Sequence, residues 1–204
     1  MLDKYIVPKT RPILQYIAVS LHARGVRADA VTTAGFIVGL AATVAVAYGH
    51  TWLALSGLLL NRLADGLDGE LARLEQPTAA GGFLDITLDF IFYAVFPLGF
   101  ALYNPSDNAL AAALLIASFV GTGASFLAFA TQADKCGVVD PDFRYKGLYY
   151  LNGLAEGTET IAFFVLVCIF PESFRYLAWA FTTVCVITAA NRVFFGYKTL
   201  KKSS

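Results

Sequence analysis

Val31–Tyr48 reads V-T-T-A-G-F-I-V-G-L-A-A-T-V-A-V-A-Y and holds no charged residue. The hydrocarbon core of a bilayer is about 30 Å thick, so a spanning helix needs about 20 mostly apolar residues. The stretch therefore predicts a membrane-spanning helix. Five more apolar segments follow it: Trp52–Ala64, Phe83–Leu102, Leu110–Ala130, Leu154–Phe170 and Phe174–Phe195. The second is short, but a helix through it can run on to Arg73 and reach water. The predicted fold is all-α: a polytopic membrane bundle of six transmembrane helices plus an N-terminal amphipathic surface helix. The 204-residue chain reads as one domain, with an interfacial segment 1–30, a bundle 31–196 and a basic tail 197–204.

Composition points the same way. The chain is 57% hydrophobic and 15% charged, with mean hydropathy +0.63. A soluble domain carries about 25% charged residues. The formal net charge is zero, so no broad attraction to nucleic acid follows. His22 and His50 lie far apart and form no metal motif. Cys136, Cys168 and Cys185 match no zinc or redox spacing, and the last two sit in apolar runs as small core hydrophobes. Met1–Arg11 mixes charges and prolines and is not expected to act as a secretory signal.

Charge placement predicts the orientation. Lys4, Lys9, Arg11, Arg24 and Arg27 precede the first span. Lys135, Arg144 and Lys146 lie between the fourth and fifth, and Lys198, Lys201 and Lys202 follow the sixth. The alternate connections hold almost no basic residue, Arg175 excepted. The positive-inside rule then places both termini in the cytoplasm of a multi-pass inner-membrane protein, which needs an even number of spans. In Pro12–Arg24, residues Ile13, Leu14, Ile17, Ala18 and Leu21 share one stripe, and Pro12 suits a first helical position. That pattern predicts an amphipathic helix on the cytoplasmic membrane surface rather than one packed on another domain. Ala117, Gly121 and Ser125 recur every fourth residue, a spacing that lets helices approach closely. The stripe serves a contact within the chain or a homodimer, and a homodimer is the expected assembly. The polar loop Gln132–Asn152 is long enough to cover a site.

The chemistry concentrates in Asn61–Asp89. Asp65 and Asp68 are three residues apart on one helix; Asp85 and Asp89 are four apart on the next. Either spacing puts the pair on one helical face. Four carboxylates thus converge near the cytoplasmic end of the bundle. Acids at the edge of a membrane are costly and mark functional sites. An all-oxygen ligand set without His or Cys favours a hard ion, Mg²⁺ or Mn²⁺, and such an ion beside substrate phosphates makes a phosphoryl-transfer site. The competing reading, a set of salt bridges, has only Arg62 and Arg73 nearby to neutralise four acids. Gly66, Gly69 and Ala72 leave space beside the aspartates, and Arg73 can hold a phosphate through its forked donors.

The segment resembles the signature of the CDP-alcohol phosphatidyltransferase family, D-x-x-D-G-x-x-A-R, a spacer, then G-x-x-x-D-x-x-x-D. Here Asp65, Asp68, Gly69, Ala72, Arg73, Gly81, Asp85 and Asp89 fill it. The resemblance implies that Asp65, Asp68 and Asp85 bind two metal ions, with Asp89 completing the site and serving as the general base. It implies that Gly69, Ala72 and Arg73 cradle the CDP moiety, joined by Asp29, Thr32 and Thr78. The acceptor's hydroxyl would attack the phosphorus nearest the lipid and release cytidine monophosphate, in phospholipid biosynthesis. CDP-diacylglycerol is the preferred donor, and a CDP-aminoalcohol with a diglyceride acceptor is the alternative. Acceptor candidates are glycerol 3-phosphate, inositol or its phosphate, and serine, with Arg144, Lys146 and Arg192 as a candidate anionic pocket. A small ion transporter is the reading from another class. Against it, the acids cluster toward one membrane face and the two halves show no inverted repeat. The intact aspartate set opposes an inactive family member.

Overall fold

A computed structural model describes the backbone of residues 3–136 and 154–203, and the side chains of 11–136 and 154–202. Every regular element among the described residues is helical. In chain order they are α1 (Asp3–Ala23), α2 (Ala28–Ala47), α3 (Thr51–Glu75), α4 (Ala79–Tyr103), α5 (Pro105–Lys135), α6 (Gly157–Ile169) and α7 (Phe174–Ser203), with a 3₁₀ turn at Pro171–Ser173. The six apolar segments each become a helix. The second does run past its apolar half, ending at Glu75. By length and composition, Ala28–Ala47, Ala79–Tyr103, Pro105–Lys135 and Pro171–Lys202 can cross a membrane. The helix α6 is apolar but has only 13 residues, and α3 carries charge through its second half.

The interior is aromatic. Phe92, Phe96 and Phe100 project from α4, Phe164 from α6 and Phe174 from α7, and all five are fully buried. The Phe96 and Phe164 ring centroids lie 4.6 Å apart, and Phe100 stacks on Phe174 at 4.5 Å. Between helices in lipid, such close packing replaces the hydrophobic drive as the main source of association. Cys168 and Cys185 are buried in this core, as their apolar surroundings predict.

The small residues of α2 let two helices close on it. A Cβ at Gly35 would stand 2.6 Å from Ala64 Cβ of α3, and one at Gly99 of α4 would stand 2.7 Å from the Thr43 carbonyl oxygen of α2. Both α3 and α4 therefore pack along α2, yet they make little direct contact with each other. A cleft stays open between them. On the other side of the bundle, Gly121 of α5 faces Ala189 of α7, so this member of the small-residue stripe serves a contact within the chain. Arg175, the exception in the charge pattern, pairs with Asp107 of α5 at 3.2 Å.

The helix α1 departs from its prediction in two respects. It starts at Asp3 and continues through Pro8 and Pro12, so Pro12 is interior and not a first helical position. Its apolar stripe also does not lack a protein partner: Leu14, Ile17, Ala18 and Leu21 turn inward, and Ala18 packs with Leu71 of α3 and Ala28 of α2. The bundle itself receives the helix. Ile13, Tyr16 and Val19 form a second apolar strip that remains exposed.

Candidate active site

The turn between α3 and α4 brings both aspartate pairs to one end of the bundle. Gln76 adopts a left-handed conformation, φ 77°, where α3 stops. Thr78 then caps α4, its hydroxyl accepting a hydrogen bond from Gly81 N at 3.0 Å. A side-chain oxygen in that position satisfies one of the free N–H groups at a helix start. Because the connection is so short, α3 and α4 run antiparallel, and the last turns of one lie opposite the first turns of the other.

Carboxylate oxygens of Asp65, Asp85 and Asp89 lie within 4.8 Å of one another across the cleft. Asp68 lines the same pocket, with Thr32, Gly35, Phe36, Asn61, Arg62 and Leu88. Its residue is 5% exposed, and Oδ2 is buried without a hydrogen-bond partner among the described residues. An ionised buried oxygen without a partner is costly unless a cation meets it. Three converging carboxylates plus that orphaned oxygen fit a hard divalent ion, whose ligands are oxygens. Protein neutralises only part of the charge: Arg62 donates to Asp89 Oδ1 at 2.8 Å and stands 3.5 Å from Asp65 Oδ1. The salt-bridge reading is thus met by one of the two arginines, while Asp68 and Asp85 receive no ion pair among the described residues.

A groove of about 150 Å³ continues from the acidic pocket, sharing Thr32, Asp68 and Asp85 with it. Asp29, Gly69, Ala72, Thr78, Gly81 and Gly82 line it too, beside Arg27 and Glu75. Five residues expected around a CDP group (Asp29, Thr32, Gly69, Ala72 and Thr78) therefore come together here. At Gly69 a Cβ would meet nothing within 4 Å, so its backbone is bare toward the groove. At Gly81 a Cβ would stand 3.1 Å from both Asp29 Oδ1 and Thr78 Oγ1, so glycine lets these two side chains close over the helix start.

Other expectations resolve differently. Gly66 does not clear space for a ligand; a Cβ there would stand 2.8 Å from Leu14 Cδ1, so the glycine admits α1. Arg73 lies outside the lining of the groove, its guanidinium bound to Glu70 one turn back. Arg192 lines neither the pocket nor the groove; it donates to the Thr122 carbonyl at 3.0 Å and covers the Phe126 ring, joining α7 to α5. Arg144 and Lys146 lie outside the described residues, as does most of the loop at 132–152.

Sequence reasoning passed over Asn61 and Tyr93, which hold Arg62 against the acids. Asn61 is buried and donates from Nδ2 to the Gly35 carbonyl at 2.9 Å, while its Oδ1 accepts from Arg62 Nε at 2.8 Å. Arg62 also reaches Tyr93 Oη at 3.3 Å and lies over the Phe92 ring. The signal was available: Asn61 is one turn before Asp65, and Tyr93 one turn after Asp89.

A family model described as CDP-alcohol phosphatidyltransferase matches residues 26–190. An Escherichia coli (strain K12) relative, inner membrane protein YnjF, is 49% identical over 98% of each chain. An archaetidylinositol phosphate synthase from Methanothermobacter thermautotrophicus is 32% identical over 48% of this chain and 51% of its own. Two crystal structures of Mycobacterium tuberculosis phosphatidylinositol phosphate synthase share the fold. The one with CDP-DAG bound has TM-score 0.67 at 20% identity, covering 91% of this chain and 94% of that one. The one in complex with manganese and citrate has TM-score 0.64 at 19% identity, covering 90% and 88%. The match spans every residue from the start of α2 into α7, including both aspartate pairs, and the chain belongs to the CDP-alcohol phosphatidyltransferase family.

Proposed function

We propose that this enzyme transfers a phosphatidyl group from CDP-diacylglycerol to the hydroxyl of a phosphate-bearing alcohol and releases cytidine monophosphate. The observation that carries the reading is the junction of the two cavities: three clustered carboxylates open directly into a groove lined by Asp29, Thr32, Gly69, Ala72 and Thr78. A nucleotide in the groove would place its diphosphate at the shared residues, Asp68 and Asp85. Asp65, Asp68, Asp85 and Asp89 would hold two ions, Mg²⁺ or Mn²⁺. Such ions would offset charge on the diphosphate and on the departing cytidine monophosphate. Asp89 takes the acceptor's hydroxyl proton. The acceptor oxygen bonds to the phosphorus nearest the lipid, and the P–O bond to cytidine monophosphate breaks, its electron pair leaving with that group. Arg62 keeps Asp89 oriented through its 2.8 Å hydrogen bond. Positioning and electrostatics supply most of the rate in such a transfer.

A phosphate-bearing acceptor agrees with the archaeal relative, whose name places it with inositol phosphate lipids. Arg144 and Lys146 are the side chains proposed to meet its charge. We place six helices across the inner membrane, both termini in the cytoplasm, and α1 on the membrane surface with Ile13, Tyr16 and Val19 toward lipid. We further propose that the enzyme works as a homodimer. The test is direct. Purified protein with Mg²⁺ and CDP-diacylglycerol is offered glycerol 3-phosphate, inositol phosphate, inositol and serine separately, and the lipid product is weighed. A parallel arm offers a CDP-aminoalcohol with diglyceride. Product from either phosphate-bearing alcohol supports the reading. Product only from inositol or serine overturns the acceptor, and turnover only in the parallel arm overturns the donor.

A further inference from the structure

Glu70 sits inside the aspartate motif but on another face of α3. Its side chain is 7% exposed, and its Oε1 receives Arg11 Nε of α1 at 3.2 Å as well as the guanidinium of Arg73. Both arginines are half exposed, at 53%. A carboxylate so deeply placed is strongly destabilised if it loses its countercharge. One arginine would meet that need. The second comes from a different element, and α1 is seated to deliver it: Leu14 fills the notch at Gly66, and Ala18 packs on Leu71. Arg73, meanwhile, follows directly on Ala72 and lies one turn beyond Gly69, both of which line the donor groove. Its planar fork of donors suits a diphosphate better than a single carboxylate oxygen.

We propose that Glu70 parks Arg73 at the rim of the groove, and that Arg11 is the replacement countercharge that lets Arg73 leave Glu70 for the donor's diphosphate. The proposal rests on the function above in taking the groove as the donor site, and on the motif resemblance in taking Arg73 as a donor ligand. Glu70 and Arg11 are then positioning residues acting through Arg73, and the docking of α1 sets donor affinity without touching the donor. In the free enzyme both cations share one carboxylate. In the loaded enzyme Arg11 holds Glu70 alone, so no buried charge is left bare.

The experiment measures binding of CDP in Mg²⁺ by calorimetry, and turnover of CDP-diacylglycerol alongside it. Arg11→Met should weaken CDP binding by about fivefold, the scale of a partly exposed ion pair, and raise the donor KM in step while kcat holds. Arg11→Lys should restore wild-type affinity. Glu70→Gln should bind CDP at least as tightly as wild type, because Arg73 is no longer held. Adding Arg11→Met to Glu70→Gln should then change nothing further. Wild-type affinity in Arg11→Met overturns the proposal. So does a fivefold loss that persists undiminished in the Glu70→Gln background, which would make α1 a plain scaffold. If Glu70→Gln does not fold, the Arg11→Met and Arg11→Lys pair still decides, since a charge effect separates them and a packing effect at a half-exposed site does not. Binding of CDP without turnover of CDP-diacylglycerol removes the proposed reaction and leaves this test running. No binding of CDP to the wild type overturns both.

Discussion

Replacing Asp89 with Asn separates the two tasks assigned to that residue. The amide keeps the shape of the carboxylate, and its oxygen can still accept the Arg62 hydrogen bond now made at 2.8 Å. A hydrogen bond without ionic assistance on one side loses roughly half its strength, so the folding cost should be about 1 kcal/mol. Arg62 keeps Asn61 and Tyr93 as partners, which holds it in place. The groove lies on the far side of Asp68 and Asp85 and does not include Asp89, so the donor KM should change by no more than about threefold at saturating metal. The amide cannot take a proton, however. A positioned base is worth about 10²–10⁴ in rate, or roughly 2.7–5.5 kcal/mol, and all of that loss should fall on kcat. Asp68→Asn is the contrast. It alters a residue shared by pocket and groove, whose Oδ2 has no partner among the described residues, so donor and metal affinity should fall together. The assay is the rate of cytidine monophosphate release over a matrix of donor and Mg²⁺ concentrations for each variant. A kcat for Asp89→Asn within a few-fold of wild type would refute its role as base. A loss of donor affinity equal to that of Asp68→Asn would reassign it as chiefly a metal ligand.

Three further outcomes are expected. Excess chelator should abolish release of cytidine monophosphate, and Mg²⁺ or Mn²⁺ should restore it; full activity in verified metal-free solution contradicts the carboxylate site. Gly35→Ala forces a Cβ to 2.6 Å from Ala64 and should lower thermal stability by about 1–3 kcal/mol, whereas Gly69→Ala, with open space at its Cβ, should hold or raise stability while raising the donor KM. Unfolding curves and donor titrations of the two variants check this, and equal destabilisation would refute the assignment of packing to one glycine and binding to the other. Cysteines placed at either terminus should resist a membrane-impermeant thiol reagent in intact cells and react once the cells are opened.

Local pattern was enough for the helices of the six apolar segments and for the pairing of the acids, though not for the start of α1. A charge-free run such as Val31–Tyr48 has one stable state in lipid, a helix that satisfies its own backbone. Offsets of three and four residues put Asp65 with Asp68 and Asp85 with Asp89 on common faces whatever lies around them. The length of α3 was legible as well, because polar residues from Arg62 onward ask for water and not for an end to the helix.

Which way each face turns was decided elsewhere. Rotation of a helix about its axis is set by contacts between residues far apart in the chain, and no local period encodes it. Asn61 reaches the Gly35 carbonyl across 26 residues, and Arg62 reaches Asp89 across 27. Gly66 and Gly69 look alike in the motif, yet one receives Leu14 and the other opens on the groove, because α1 docks on only one side of α3. Arg73 could turn toward substrate or toward Glu70, and the burial of Glu70 beside Arg11 decides its resting place. The cleft itself exists because α2 holds α3 and α4 through small residues while keeping those two apart, a relation among three helices that belongs to none of them singly.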